Sequence, residues 1–318
     1  WLAAGLTSLF TILGFLNRWD WRLELFCHFR AQYAVILGIC AGSFLLRIDT
    51  PGFLYSLTFM VINLSLLLPL YMRTFRRPQA SVVYRVFFAN ILGPNTRYRQ
   101  IQGAIEHAQA DIILLVEVRP NHLEALLPGL STYPHQFTLP DDENFGLAIF
   151  SRLPFEEIDI KDFDGTCTPT LIARLTLEAR QLTLIGMHPH PPKSREQARR
   201  RNHQLAIVGA FAADQPGELL LMGDLNTTCW SHSFKQLLAT SRLRDSGQGS
   251  GLQPSWPANN PLLGIRIDHA LHTPGLVIQK RGLGRPTGSD HRPLILDFSM
   301  MTIDTSPDAS TTATTNEK

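Results

Sequence analysis

The sequence has few cysteines, and they lie far apart. Only four of its 318 residues are cysteine. They are Cys27, Cys40, Cys167 and Cys229. No two of them form a Cys-x-x-Cys pair, and their spacing matches no common zinc site. The cysteines therefore argue against both a disulfide framework and a structural zinc site.

Charged residues are also scarce, and the shortage is confined to one part of the chain. They make up 18% of the sequence, against about 25% in ordinary soluble domains. Residues 1–72 contain only seven Asp, Glu, Lys and Arg, whereas the remainder has an ordinary soluble composition. The net charge of +2 is too small to indicate a nucleic-acid partner by itself.

Three uncharged apolar runs fill the charge-poor part: Trp1–Leu16, Ala31–Leu46 and Phe53–Met72. A bilayer core of about 30 Å is crossed by about 20 apolar residues in a helix, a length that the third run meets and the second just misses. A signal peptide would explain the first run alone, and three buried core helices would have no polar face for water. We therefore predict that residues 1–77 form a transmembrane anchor of about three helices.

Arginines in the short loops bear on the orientation of this anchor. The first loop contains Arg18, Arg22 and Arg30, whereas the second contains only Arg47. Three crossings would leave the first loop and the C-terminal part of the chain on the same side of the membrane. The excess of Lys and Arg in cytoplasmic loops then favours a cytoplasmic C-terminal domain.

The chain beyond the anchor changes character. Residues 78–81 are expected to be a linker, residues 82–299 one α/β domain, and residues 300–318 a disordered polar tail. Short β-branched or fully apolar runs predict strands, and helical periodicity predicts helices between them. Strands are predicted at 82–89, 112–116, 146–151, 170–177, 181–187, 218–222, 267–271, 277–283 and 294–298. Helices are predicted at 98–109, 121–130 and 195–213, the last opened by a capping box of Ser194 and Gln197.

Polar residues recur where the predicted strands begin or end. They are Asn90, Glu117, His188, Asp224, Asn226, Asp268, Asp290 and His291. Singly, each of the acids is more often a turn or surface residue. Together, at the strand ends of an α/β sheet, they indicate a ligand site. Carboxylate and amide oxygens suit Mg²⁺ or Mn²⁺, and the histidines can hydrogen-bond to phosphoryl oxygens.

The motifs around these residues carry a family resemblance. They are LLVEV with Glu117, MHPHPP with His188, GDLN with Asp224 and Asn226, RIDHAL with Asp268, and GSDHRP with Asp290 and His291. In this order they resemble the endonuclease/exonuclease/phosphatase superfamily over residues 82–298. The resemblance implies an α/β fold, a four-layered α/β/β/α sandwich of two packed mixed sheets, and a metal-dependent hydrolase of P–O bonds.

The resemblance also implies a role for each residue. Asn90, Glu117 and Asp290 would bind the metal, and Asp290 would also hold His291. The catalytic residues would be His188, Asp224, Asn226, Asp268 and His291. Asp224 would orient and deprotonate the attacking water, and Asp268 would support a histidine or a second metal position. Asn90, His188, Asn226 and His291 would contact the substrate. One departure is Val116, which stands where many members have a glutamine before the catalytic glutamate.

The anchor and its CHFRAQY segment resemble a bacterial branch with three membrane spans before the hydrolase domain. That branch is associated with teicoplanin resistance and with undecaprenyl-linked diphosphates. The resemblance implies a multi-pass protein of the bacterial inner membrane with an extracytoplasmic site, against the arginine count. We expect a phosphoesterase acting on a lipid-linked or membrane-proximal phosphate, with membrane lipids as partners. The alternatives are a membrane-tethered nuclease acting on nucleic acid and a non-catalytic membrane-bound binding module.

Two further features have open interpretations. Four arginines cluster at the start of the predicted helix 195–213: Arg195, Arg199, Arg200 and Arg201. They form either a solvated face or a contact for anionic lipid head groups or for the substrate phosphate. Trp230 and Trp256 either wall a substrate pocket or pack in the core.

Overall fold

The computed structural model describes residues 1–72, 82–163, 165 and 167–301. The linker predicted at 78–81 lies outside the described residues, as does the predicted tail beyond residue 301. The boundaries of the domains therefore stay predictions.

The N-terminal helices are four in number and occupy the charge-poor part of the chain. They are α1 (Leu2–Leu13), α2 (Trp21–Glu24), α3 (Arg30–Leu46) and α4 (Thr50–Leu67). Short 3₁₀ turns extend α1 to Leu16 and α4 to Leu70. The Asp49 carboxylate accepts a hydrogen bond from the Gly52 N–H, which caps the start of α4.

One of these helices is long and apolar enough to cross a membrane. It is the continuous helical segment Thr50–Leu70, of 21 residues. A second span exists only if Trp21–Cys27 and Arg30–Leu46, which meet at a bend of 58°, are counted together, and Leu2–Leu16 is shorter still. The expectation of about three spanning helices is therefore supported for one helix among the described residues. The reason is length, since 15 helical residues reach only about 22 Å.

The described residues of 82–301, called the two-sheet region below, form twelve strands. These are β1 (Tyr84–Asn90), β2 (Ile112–Val116), β3 (His135–Leu139), β4 (Leu147–Ser151), β5 (Glu157–Lys161), β6 (Thr170–Leu177), β7 (Arg180–Met187), β8 (Glu218–Asp224), β9 (Arg244–Asp245), β10 (Asp268–His272), β11 (Leu276–Leu283) and β12 (Leu294–Met300). They form two six-stranded sheets, ordered β11-β12-β1-β2-β4-β3 and β5-β6-β7-β8-β10-β9. Both sheets are mixed, because β1 pairs with β2 and β7 with β8 in parallel, whereas the other pairs are antiparallel.

The two sheets pack face to face, and helices cover their outer faces. These helices are α5 (Tyr98–Ala108), α6 (Pro120–Leu126), α7 (Arg195–Ala213) and α8 (His232–Ser241). On β1, Val86 and Phe88 belong to the core between the sheets, whereas Phe87 and Ala89 pack under α5. Side chains alternate along a strand, so a strand that is covered on both faces is apolar throughout. The expected α/β sandwich with flanking helices is confirmed.

Most predicted elements agree with the structure, and the three strands that were not predicted share a cause. β2 and β6 begin and end where predicted, as does α7, with the Ser194 hydroxyl accepting from the Gln197 N–H. Four elements were not predicted from the sequence: β3, β5, β9 and α8. β3, β5 and β9 lie at sheet edges and have at most five residues, so each offers too short a pattern for a clear prediction.

The N-terminal helices contact the loops that follow β8 and β9. The Trp230 indole donates to the Leu66 carbonyl (3.1 Å), and the Gly251 N–H donates to the Leu70 carbonyl (2.7 Å). Asn17 accepts from the His232 N–H (2.7 Å). These contacts place the N-terminal helices beside the loop after Asp224, which is a predicted site residue.

Candidate active site

The predicted site residues converge at one end of the sandwich. Asn90 ends β1 and lies in register with Val116, so Glu117 follows directly beside it. Asp224 ends β8 and lies directly opposite Asp268, the first residue of β10. Because the two parallel pairs end at the same edge, residues far apart in sequence meet there.

Glu117 has an unusual backbone conformation. Its φ is 58°, in the left-handed region that non-glycine residues seldom adopt. The Asn90 side-chain amide donates to one carboxylate oxygen (2.8 Å), and the Gly93 N–H donates to the other (3.0 Å). Such strain persists when neighbouring contacts fix the residue, and it is common at functional sites. Asn90 and Glu117, both predicted metal residues, are therefore held together.

Asp224 lies at the centre of the cluster. One oxygen of this buried carboxylate is 3.5 Å from His188 Nε2, 3.5 Å from His291 Nε2 and 3.1 Å from the Asn90 amide. Burial disfavours the charge of Asp224, but the positive charge of His291 and the hydrogen bond from His188 outweigh it. Together they lower the pKa of Asp224 to about 2. The carboxylate is therefore ionised at neutral pH and can accept a hydrogen bond from water.

His291 is oriented by Asp268. Its Nδ1 is 2.9 Å from an Asp268 carboxylate oxygen, and both side chains are buried. Burial disfavours protonation, but Asp268 and Asp224 raise the pKa of His291 to about 10. The expectation that Asp290 holds His291 is wrong, because neighbouring loop residues direct their side chains differently. The cationic imidazolium suits a contact with anionic phosphoryl oxygen.

Asp290 has a different partner. Its carboxylate accepts a hydrogen bond from the Trp256 indole N–H (2.9 Å), and its second oxygen is buried with no hydrogen-bond partner among the described residues. Trp256 thus lies at the site, whereas Trp230 lies under the N-terminal helices with Leu67 and Leu70. Both tryptophans were candidates from the sequence, but nothing in the Ser-Trp-Pro segment indicated that Trp256 would contact Asp290.

His188 and Asn226 lie on either side of Asp224. His188 Nδ1 is 3.0 Å from the Asn144 carbonyl, which directs Nε2 toward Asp224 and Glu117. Burial lowers the pKa of His188, but Asp224 and Glu117 reverse this and raise it. The Asn226 backbone N–H donates to Asp224 (3.0 Å), and its side-chain amide donates to the Pro189 carbonyl (3.0 Å).

The donors of this cluster suit a hard divalent cation. Four carboxylates gather here, those of Glu117, Asp224, Asp268 and Asp290, with two histidines to offset them. Ligand atoms of Asp224, Asp268 and His291 lie within 4.8 Å of one another. One oxygen each of Asp268 and Asp290 is buried without a hydrogen-bond partner among the residues described. Unpaired buried oxygens in a site of net negative charge are what a cation would satisfy.

Comparison with known families agrees with this geometry. The model of the endonuclease/exonuclease/phosphatase family matches residues 87–291. The chain belongs to this family. Members are metal-dependent phosphoesterases and nucleases, so family membership supports hydrolase activity in general terms. None of the curated proteins compared with the sequence matches it.

Solved structures of the family have the same fold. TDP2 from D. rerio, in complex with a single-strand DNA product, has a TM-score of 0.58 at 21% identity, over 69% of this chain and 99% of that one. The human Nocturnin catalytic domain with bound sulfate has a TM-score of 0.56 at 19% identity, over 69% and 94%. An endonuclease/exonuclease/phosphatase protein from Beutenbergia cavernae has 0.55 at 19% identity, over 71% and 72%. At such identities the likeness shows the fold alone.

The glycine of the family motif GDLN has a local structural reason. A Cβ at Gly223 would lie 2.3 Å from the Met187 carbonyl oxygen, so a side chain here would push β7 and β8 apart. Gly223 precedes Asp224 and pairs with Met187, the residue before His188. The close approach therefore helps to bring Asp224 and His188 together.

Proposed function

We propose that this chain is a membrane-anchored, divalent-metal-dependent phosphoesterase that hydrolyses a P–O bond of a lipid-linked or membrane-proximal phosphate or diphosphate. The observation that carries the hydrolase part is the position of Asp224. A single ionised carboxylate lies 3.5 Å from each of two histidines whose pKa values are raised. Such a set can hold water on one side and an anionic phosphoryl group on the other.

The side chains then divide the chemistry among them. Asp224 orients the attacking water and takes its proton as the bond to phosphorus forms. His291, held by Asp268, donates a hydrogen bond to a phosphoryl oxygen and offsets the charge that develops there. His188 protonates the leaving oxygen, and the Asn226 side chain contacts the phosphate. Asn90, Glu117 and Asp290 would hold Mg²⁺ or Mn²⁺, which supplies Lewis-acid polarisation when bound.

The burial pattern of the N-terminal helices supports a membrane location. The residues that α1 buries are small or polar, and those of α4 are mostly so: Ala4, Thr7, Ser8, Thr11, Gly52, Ser56, Asn63 and Leu67. Many large apolar side chains of these helices are exposed, and only 22% of an apolar 18-residue window of Thr50–Leu70 is buried. A core helix of a soluble protein has the opposite arrangement, whereas small and polar interfaces are common between helices in lipid.

The loop beside the site supports a substrate at the membrane surface. This loop, residues 257–264, exposes Leu262 by 82% and Leu263 by 53%. Gln32, at the start of α3, donates to the Leu262 carbonyl (3.1 Å). The Ala258 N–H donates to the Asp290 carbonyl (2.7 Å). One loop thus joins the start of an apolar helix to the site, which suits a phosphate on a lipid.

A nuclease is the second candidate, because the D. rerio TDP2 structure contains a DNA product. The net charge of +2 speaks against it, since duplex binding relies on many phosphate contacts. A non-catalytic binding module is the least supported alternative, because the predicted catalytic residues gather at one site.

Substrate tests on the full chain in lipid nanodiscs separate these candidates. With Mg²⁺, we expect release of inorganic phosphate from a prenyl diphosphate, its loss on EDTA treatment, and recovery with Mg²⁺ or Mn²⁺. Nicking of plasmid DNA without phosphate release would support the nuclease, and no turnover on either substrate would support the binding module. Equal rates on prenyl diphosphate and on a water-soluble alkyl diphosphate would contradict the lipid-linked substrate while leaving the hydrolase in place.

A further inference from the structure

Glu24 and Arg201 form a buried ion pair between the N-terminal helices and the two-sheet region. Glu24 ends α2, and Arg201 lies within α7. Glu24 Oε2 is 2.5 Å from Arg201 Nη2, and the residues are 3% and 0% exposed. The family match begins only at residue 87, so the partner of Arg201 comes from outside the matched region.

Arg201 passes this contact on to the site. Its Nη1 donates to the Asn226 carbonyl oxygen (2.7 Å), and the Asn226 N–H donates in turn to Asp224 (3.0 Å). Asn226 has a φ of 51°, which a non-glycine residue keeps only when its surroundings hold it. Three successive contacts therefore connect Glu24 to the central carboxylate.

The second oxygen of Glu24 holds the same loop at the next residue. The Thr227 hydroxyl donates to Glu24 Oε1 (2.7 Å), and His269 Nε2 is 2.9 Å from the Thr227 carbonyl. Both oxygens of one buried carboxylate thus act on the two residues after Leu225. Without Glu24, Arg201 would be a buried cation lacking its counter-ion, and it would have to move or draw in water.

We propose that Glu24 is a positioning residue: through Arg201 and Thr227 it fixes the loop after Asp224, and with it the orientation of the Asp224 carboxylate. This inference rests on the role proposed for Asp224. The N-terminal helices would then be part of the catalytic unit rather than a tether. The reason is that Glu24, on α2, begins the series of contacts that aligns Asp224.

The test compares Glu24→Gln with Arg195→Gln in the full chain, using bis(p-nitrophenyl) phosphate and Mg²⁺. Arg195 and Asp20 form another ion pair between the same two parts (3.1 Å), but Arg195 is largely exposed and has no bond to the loop after Asp224 among the described residues. We expect Glu24→Gln to lower kcat by about 10-fold or more with KM within about 2-fold, and Arg195→Gln to change neither. Asp224→Ala gives the rate without the central carboxylate.

A double variant, Glu24→Leu with Arg201→Met, shows whether Glu24 positions the loop or only stabilises the fold. Replacing both members of a buried ion pair by apolar residues often restores stability. We expect the Tm to recover while kcat stays low, because the Asn226 carbonyl still lacks its Arg201 donor. Recovery of kcat together with the Tm would overturn the proposal.

Hydrogen–deuterium exchange gives a readout that needs no turnover. In Glu24→Gln we expect faster exchange of the amides of residues 225–228, and no change in Arg195→Gln. Unchanged exchange in both variants would overturn the positioning role. If exchange changes but Asp224→Ala keeps the wild-type rate, Glu24 holds the loop and the role proposed for Asp224 fails instead.

Discussion

The N-terminal helices and the two-sheet region differ in the side chains that they bury and expose. The two-sheet region places large apolar residues such as Phe88 and Leu114 inside. The N-terminal helices bury polar residues such as Thr11 and Asn63 together with apolar ones such as Leu37, and they expose many large apolar residues such as Ile39. Apolar surface moves away from water, so the exposed apolar side chains of these helices support the membrane location that we propose for them.

The contact between these two regions is apolar in one part, where Trp230 packs against Leu67 and Leu70, and charged in another. It buries charges that are paired across the boundary, as with Glu24 and Arg201. A buried charge is costly unless it is paired, so such a contact holds one specific arrangement rather than any apolar one. The contact beside the site therefore favours one orientation of the N-terminal helices relative to the two-sheet region.

The largest effect is expected in the two-sheet region, from Asp224→Ala. This variant removes the carboxylate that lies 3.5 Å from both histidines. We expect turnover of bis(p-nitrophenyl) phosphate to fall by about 10³-fold or more, in line with losses of charged groups from catalytic clusters. Circular dichroism should stay unchanged, and the exposed Asp214→Ala serves as the matched control. Near-normal turnover in Asp224→Ala would contradict the water-orienting role.

Ile39→Asp tests whether the exposed apolar side chains of the N-terminal helices lie in a membrane. Ile39 is 68% exposed on α3, so in water the change would be mild. In a bilayer, a carboxylate near the middle of a helix costs about 2.5–3.5 kcal/mol. We expect a large loss of carbonate-resistant membrane association, measured by fractionation. Leu127→Asp, on the two-sheet region, should have no such effect, and equal membrane association of both variants would remove the contrast between the two regions.

Asp268→Asn tests how the site is organised. The variant keeps the shape of the side chain but removes the charge that orients His291 at 2.9 Å. We expect kcat to fall by about 10- to 100-fold, as is common when the partner of a site histidine is lost. Asp159→Asn, at an exposed ion pair with Lys161, is the control. If kcat of Asp268→Asn equals that of the control, His291 is oriented by other contacts.

The smallest effect is the pH dependence of stability in EDTA-treated protein. The pKa of His291 is raised to about 10 in the fold, above about 6.5 in an unfolded chain. Its contribution is therefore fully present below about pH 6.5 and is lost as the pH rises toward 10. We expect the Tm of wild type to exceed that of His291→Gln most near pH 6, with the gap closing by pH 10. A Tm difference that widens as the pH rises would contradict a positive charge on His291.

Several elements were predictable because their causes are local. The Ser194 cap and the apolar face of α7 lie within a few turns of one another, and both ends of that helix agree with the structure. β2 is apolar at every position and buried at every position. The edge strand β3 was missed because its five residues contain only two large apolar side chains, Phe137 and Leu139.

The arginine cluster shows where local reasoning ends. Arg199 and Arg200 pair with Glu196 at the surface, as expected of a solvated face. Arg201 is fully buried, because successive helix residues turn by about 100° and place it on the side of α7 that faces Glu24. Its sequence neighbourhood holds no sign of this, since the partner lies 177 positions away.

The sequence alone determined the residue types at the strand ends, their order, and hence the family and its chemistry. The tertiary structure decided which of these groups are hydrogen-bonded to each other. It paired His291 with Asp268 instead of Asp290, gave Asp290 to Trp256, and brought Glu24 to the loop after Asp224. The reason is that hydrogen bonds form only over about 3 Å, and the packing of sheets and helices sets these distances between residues that are distant in the chain.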